Sequence, residues 1–254
     1  MVSRYPESQR LFFFENDLTG NVLFWSRFKV KPVFDEKIIL ELGCGHGRLS
    51  LDMAVAGAKK VVGIDIDAEK IDFAKRNISL RHPHRQAVLS FQCCEIDALP
   101  DDSFDLIVSK DTFEHVSNLP GLLQGIRRCL KPGGRLYAGF GPLYNSPNGY
   151  HEWPHGGIPW GHLLIPHKWL LFFHNMFKKE RVRSLSDLDQ LNQLPFSEYE
   201  RFFDACGLDV ISFSVNQSEH IVSRMMTFLR HVPFLREYCT HNIYCVMEKV
   251  CNPT

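Results

Sequence analysis

Residues 41 to 67 carry the side chains best suited to gripping a charged, hydroxylated ligand. Glu41-Leu42-Gly43-Cys44-Gly45-His46-Gly47 follows a short apolar run, Lys37 to Leu42, and precedes helical spacing at Leu49, Met53 and Ala56. Glycines at such a strand-to-helix junction let the backbone turn sharply and come close to a ligand. The helix N-terminus behind them offers free N–H groups and the positive end of its dipole to a carboxylate or phosphate. About 18 residues on, Asp65 ends the next apolar run, Val61 to Ile66. A carboxylate at that distance is placed to accept both hydroxyls of a ribose.

A dinucleotide is one candidate ligand. It requires G-x-G-x-x-G with a small sixth residue for close helix–strand packing. Counting from Gly43, the sixth residue is Arg48, and no Tyr-x-x-x-Lys pair occurs in the chain. A nicotinamide-dependent oxidoreductase is therefore disfavoured.

The elements that must position these residues alternate. Helical spacing over Arg48 to Ala56 stops at Gly57, and Ala68 to Leu80 places Ile71, Ala74 and Ile78 on one face. Val88 to Cys93 and Phe104 to Ser109 read as strands, Leu119 to Leu130 as a helix ending at Lys131-Pro132-Gly133-Gly134, and Arg135 to Phe140 as a fifth strand. Nearly continuous apolar strands alternating with helices imply βαβ units and a parallel sheet covered on both faces. Residues 1 to about 36 read as helical and irregular, with apolar clusters split by Asn16, Asp17 and Gly20. Helix (Ser197 to Cys206), strand (Val210 to Val215), helix (Ile221 to Leu229) and strand (Asn242 to Glu248) close the chain.

Several motifs within this frame resemble one family. The E-x-G-x-G-x-G loop, Gly63-Ile64-Asp65, the segment Leu99-Pro100-Asp101-Asp102-Ser103-Phe104-Asp105-Leu106-Ile107-Val108 and Leu130-Lys131-Pro132-Gly133-Gly134 are similar to those of class I S-adenosylmethionine-dependent methyltransferases, in their small-molecule (type 11-like) branch. The resemblance covers about residues 37 to 141. It implies a Rossmann-like three-layer α/β sandwich with a seven-stranded, mostly parallel sheet and an antiparallel last strand. It implies S-adenosyl-L-methionine as cofactor, with Glu41, Gly43, Cys44 and Gly45 at its methionine end and Gly47 closing the turn. Asp65 would bind the ribose and Ile66 pack on the adenine. Glu95 and Ile96, with Asp97 as a rival, fall where the family contacts the adenine amine. Ser109 and Lys110 would border the sulfonium. A cation there is unfavourable unless its side chain points away, so only the Lys110 backbone is assigned.

Residues 142 to 195 stand outside the resemblance. Gly141 to Trp169 holds Tyr144, Tyr150, Trp153, Trp160 and Trp169 together with His151, His155, His162 and His167. Methyl transfer is an in-line displacement, in which the protein aligns the partners and excludes water. Aromatic walls suit a flat or apolar acceptor, and a histidine can take a proton from a hydroxyl near neutral pH. His151, His155 and His115 are the candidate bases. The Asn/Asp-Pro-Pro-aromatic turn of nucleobase and amide methyltransferases and the magnesium-holding carboxylates of catechol-type enzymes have no counterpart, so no metal is assigned. Lys168 to Phe177 has the apolar spacing of a helix that could touch lipid, with core packing favoured.

Composition sets the outer bounds. Hydrophobic residues at 44% and charged residues at 23% describe a chain able to bury a large core. Lys+Arg and Asp+Glu are both 29, a balance that disfavours general nucleic-acid binding. The eight cysteines include no C-x-x-C pair, no apolar stretch reaches membrane-spanning length, and nothing at the start resembles a signal peptide. The expectation is one methyltransferase domain over 1–254, with 1–36 as a cap and 142–195 as a substrate lid, in a reducing, cytoplasmic setting. Its acceptor would be a small molecule, methylated on oxygen first, on nitrogen or carbon second. A lipid or protein acceptor, and a cofactor-binding protein without catalysis, are the alternatives. Oligomeric state is left open.

Overall fold

Because both faces of the sheet are covered at its centre, the central strands carry near-continuous apolar runs such as Ile38–Leu42 and Leu106–Val108. The computed structural model describes residues 6–149, 158–177, 183, 191–217 and 221–250. Its strands are β1 (Ile38–Leu42), β2 (Lys60–Asp65), β3 (Leu89–Cys93), β4 (Phe104–Lys110), β5 (Leu130–Phe140), β6 (Asp209–Val215) and β7 (Ile243–Glu248). They form one sheet in the order β3-β2-β1-β4-β5-β7-β6. The first five are parallel, and β7 runs antiparallel between β5 and β6. This is the Rossmann-like sheet the sequence predicts.

Register places the chemistry on one rim. Leu42, the last residue of β1, lies opposite Ile64 on one side and Ser109 on the other. The glycine loop, Asp65 and Lys110 therefore leave the sheet at the same level. Strand order reverses between β1 and β4, and a crevice opens where connections leave in opposite directions.

Period-2 alternation feeds two cores. Ile39, Val61 and Val108 pack with α1 (Glu7–Ser26), α2 (Arg48–Val55) and α3 (Ala68–Arg81) through Phe14, Phe24, Met53 and Ile71. Leu40, Leu42 and Ile107 pack on the other face with α4 (Leu119–Cys129) and α7 (Phe196–Ala205) through Leu123, Ile126 and Phe203. Each such side chain, fully buried, contributes about 1.5–3 kcal/mol. Polar caps set where α3 and α4 begin: Asp67 accepts from the N–H groups of Glu69 and Lys70, and Asn118 from that of Gly121.

The N-terminal segment, read as helical and irregular, folds as one helix, α1, that runs through Asn16, Asp17 and Gly20. Asp17 and Asn21 spend their polar groups on partners across the crevice. A Cβ at Gly20 would lie 3.0 Å from Asp17 Oδ1 and 3.3 Å from Lys110 Nζ, so glycine there makes room for that contact rather than ending the helix. After β5 come α5 (Gly161–Leu164), which the sequence does not predict, and α6 (His167–Phe177), where Lys168 to Phe177 has helical spacing, before α7; α8 (Ile221–Leu229) precedes β7. No helix among the described residues is long and apolar enough to cross a membrane.

Candidate functional site

Three left-handed residues in five shape the turn after β1. Gly43, Gly45 and Gly47 have φ of 74°, 50° and 84°, a region only glycine enters without strain. The N–H groups of Gly43 and Cys44 both donate to the Ile64 carbonyl at 2.9 Å, which pins the turn to β2. A Cβ on Gly43 would lie 2.2 Å from Thr112 Oγ1, and one on Gly47 2.8 Å from the Phe91 ring. Gly45 has open space where its Cβ would be. It is the glycine a ligand can approach. Gly47 stands at the N-terminus of α2 with no side-chain cap, leaving the first N–H groups of the helix for a ligand.

Asp65 is joined to this turn directly. Its Oδ2 accepts from the Gly45 N–H at 2.9 Å and its Oδ1 from the Asp67 N–H at 2.9 Å. Each carboxylate oxygen keeps a second lone pair, so two hydroxyls can still be accepted. Turn and carboxylate thus form one fixed unit. Cys44 is buried against Gly63, and burial pushes its thiol far above the usual range.

A cleft of about 460 Å³ opens between this turn and α1. Phe13, Asp17, Glu41, Cys44, Gly45 and Lys110 are among the residues lining it. The Glu41 carboxyl is buried at the end of β1 and accepts from the Ser50 hydroxyl. Loss of hydration pushes it up to about 8; the Ser50 bond and the Lys110 charge oppose that shift, and Asp17 adds to it. Phe13 stacks on His46 with ring centroids 6.0 Å apart. Burial, with Lys70 and Arg10 nearby, lowers the His46 pKa.

The Lys110 ammonium turns away from the rim toward α1. It bonds to Asp17, and to Asn21 Oδ1 at 2.8 Å. Asn21 in turn donates to Asp52 at 2.7 Å, and Asp52 accepts from Arg48 Nε at 3.0 Å. The cation is therefore compensated by the Asp17 carboxylate.

The end of β4 holds the expected Ser109 and two carboxyls that the sequence reading passed over. Ser109 is buried and donates its hydroxyl to the Leu42 carbonyl at 3.2 Å. Asp111, φ 49°, faces the cleft, and desolvation within that concavity raises its carboxyl. Glu114 is only 1% exposed. Its Oε1 accepts from the Gly141 N–H at 3.1 Å, while Oε2 is buried with no hydrogen-bond partner among the described residues. Burial first, then the Asp111 charge, pushes Glu114 up to about 8. An acidic residue just past the fourth strand was the available signal for both carboxyls. Asp17 and Asn21, one helical turn apart, were the signal on α1.

The other expected residues scatter. Ile66 is 79% exposed at the end of β2, and Glu95 is exposed after β3. The Ile96 side chain is buried against Gly125, and its carbonyl accepts from Arg128 Nη2 at 3.0 Å, which leaves only its N–H for a ligand. His115 is exposed and is not among the residues lining the cleft. His151 and His155 lie outside the described residues, as do Tyr150 and Trp153. His162 is tied down, its Nε2 2.5 Å from the Tyr144 carbonyl oxygen.

Comparison with known proteins centres on the same stretch. A family model described as a methyltransferase domain matches residues 34–142, from just before β1 to just after β5. The mitochondrial ubiquinone biosynthesis O-methyltransferase of Mus musculus is 37% identical over 110 residues, 42% of this chain and 29% of that protein. A phosphoethanolamine N-methyltransferase of Triticum aestivum is 35% identical over 101 residues, 39% of this chain and 19% of that protein. The chain thus spans less than a third of the length of either relative. The fold continues beyond the matched stretch. Phosphoethanolamine N-methyltransferase 2 of Haemonchus contortus, solved with S-adenosyl-L-methionine, superposes with a TM-score of 0.65 at 15% identity, over 98% of this chain and 59% of that one.

Proposed function

We propose that residues 34–142, which match a methyltransferase domain, form a class I S-adenosylmethionine-dependent methyltransferase and that the chain moves a methyl group to a small aromatic or hydrophobic acceptor. The observation carrying this reading is the bond between Gly45 and Asp65, with the open face of Gly45 beside it. Such a corner fits a nucleoside carrying a zwitterionic tail. Asp65 would take the ribose hydroxyls, and the bare N-terminus of α2 the carboxylate of the tail, which would lie along the Gly43-Cys44-Gly45 backbone. Glu41 would lie beneath its ammonium. Ile66 and the Ile96 N–H would flank the adenine, with Glu95 nearby. When bound, S-adenosylmethionine supplies an electrophilic methyl group.

The chain's own residues then orient and exclude water. Ser109 and the Lys110 backbone border the methyl, and Asp17 keeps the Lys110 charge away from it. We take 1–254 as one unit in which 1–36 cap the site and 142–195 close over the acceptor. Oxygen is the first acceptor atom, a reading supported by the relative named as an O-methyltransferase. The proton of a hydroxyl acceptor would go to His151 or His155, with His115 as the third candidate. Nitrogen is the second reading, supported by the relative named as an N-methyltransferase. The seven described cysteines are all free, which suits a reducing, cytoplasmic setting.

Calorimetric titration with S-adenosylhomocysteine tests the core of the proposal. Saturable binding of one equivalent is expected. No heat and no saturation with folded protein would remove it.

A further inference from the structure

Large apolar side chains stand exposed on two runs of chain that follow β5. On α6, Trp169, Phe172 and Met176 recur at i, i+3 and i+7 and are 50%, 54% and 52% exposed, while Leu170 and His174 turn inward. Core packing over Lys168 to Phe177 therefore accounts for one flank of this helix and leaves the other apolar and open. The second run carries Phe228 on α8 and Phe234 just beyond it, 76% and 73% exposed. The Trp160 indole N–H donates to the Tyr238 carbonyl at 3.0 Å and joins the start of the first run to the end of the second. An apolar face of this kind marks an interaction site.

Charge selects the partner. Among the described residues these runs carry Lys168, Arg183, Arg224, Arg230 and Arg236 against Glu237, with Arg236 paired to Glu200. The whole chain is neutral, so these two runs concentrate positive charge and leave the remainder acidic. Of these cations, Lys168 and Arg224 are exposed beside the apolar residues. A second copy docking through this face about a two-fold axis would set the same cations against each other.

We propose that this face lies on an anionic lipid bilayer, its aromatic and methionine side chains entering the headgroup–acyl boundary and its cations resting on lipid phosphates. The two contributions belong together, since exposed apolar residues give depth and cations give preference for negative headgroups.

Co-sedimentation of the full chain with vesicles tests this. Binding to vesicles of phosphatidylcholine containing phosphatidylglycerol is expected, at least tenfold stronger than to phosphatidylcholine alone, and weaker as salt is raised. Phe172→Ser combined with Met176→Ser and Phe228→Ser should weaken it at least tenfold with an unchanged circular dichroism spectrum. Should the triple variant misfold, Lys168→Glu combined with Arg224→Glu should remove the preference for phosphatidylglycerol. Absence of binding, equal binding to both vesicle types, or full binding by the folded variants would overturn the proposal. So would a dimer of the free chain that these substitutions disperse.

Discussion

The Lys110 ammonium at the end of β4 is bonded to the Asp17 carboxylate of α1, 93 residues earlier in the chain. The pair closes one wall of the cleft and neutralises the cation nearest the expected sulfonium. Asp17→Asn would leave Lys110 facing the ligand uncompensated. The site is partly exposed, so the unfavourable interaction is about 1 kcal/mol. Affinity for S-adenosylmethionine should fall roughly fivefold, while that for uncharged-sulfur S-adenosylhomocysteine changes less. Equal losses for the two ligands would contradict the placement.

Asp65→Ala removes the acceptor of two backbone N–H groups as well as the ribose partner. Hydrogen bonds to a charged group contribute about 1.5–3 kcal/mol. Urea denaturation should show a loss of that order, and calorimetry at least a tenfold weaker S-adenosylhomocysteine. Undiminished affinity in a stable variant would dismiss the ribose role.

Gly43 and Gly45 should respond differently to alanine. At Gly43 the new methyl meets Thr112 and the backbone is left-handed, so a cost of about 3 kcal/mol in stability is expected. At Gly45 the space is open, and only the backbone strain of about 1–2 kcal/mol applies. Gly45→Ala should instead damage ligand affinity out of proportion to its stability loss. The two variants, compared by denaturation and titration, separate a packing glycine from an access glycine.

Glu41 and Glu114 both keep their protons to about pH 8, against an ordinary value of 4.5. Between those values the folded chain holds more protons than the unfolded one. Stability should therefore fall as pH rises from 4.5 to 8, by up to about 1.4 kcal/mol per pH unit for each group. Glu41→Gln and Glu114→Gln should each flatten the profile measured by urea denaturation from pH 5 to 8. A wild-type slope in both variants would show that neither carboxyl titrates in this window.

Glu41 also predicts a proton released on binding. A cationic tail above the carboxyl favours its ionised form, so below pH 8 the ligand displaces a proton. Titrations in buffers of different ionisation enthalpy should give different apparent heats, and Glu41→Gln should remove the difference.

The strands and the glycine corner were legible because their signals are local: apolar runs of strand length, glycines at a junction, an acid at the next strand end. The expected run Val61 to Ile66 differs from β2 by one residue at each end. What escaped is non-local. Nothing near Asp17 or Asn21 states that their partners are Lys110 and Asp52, so polar residues that complete a network across the cleft read only as gaps between apolar clusters. Glu114 was hidden beside His115, the more familiar proton acceptor, although burial sets the two apart completely.

β7 sits between β5 and β6, with Phe140 opposite Ile243. During synthesis, one edge of Leu130–Phe140 must therefore wait for a strand made about 100 residues later, roughly 5–20 s at ordinary translation speeds. For that interval the nascent sheet offers a bare row of N–H and C=O groups, the kind of template on which chains cross-pair. Ribosome-associated chaperones, rather than any later stabilisation of the finished molecule, should decide how much of this chain is recovered folded from cells.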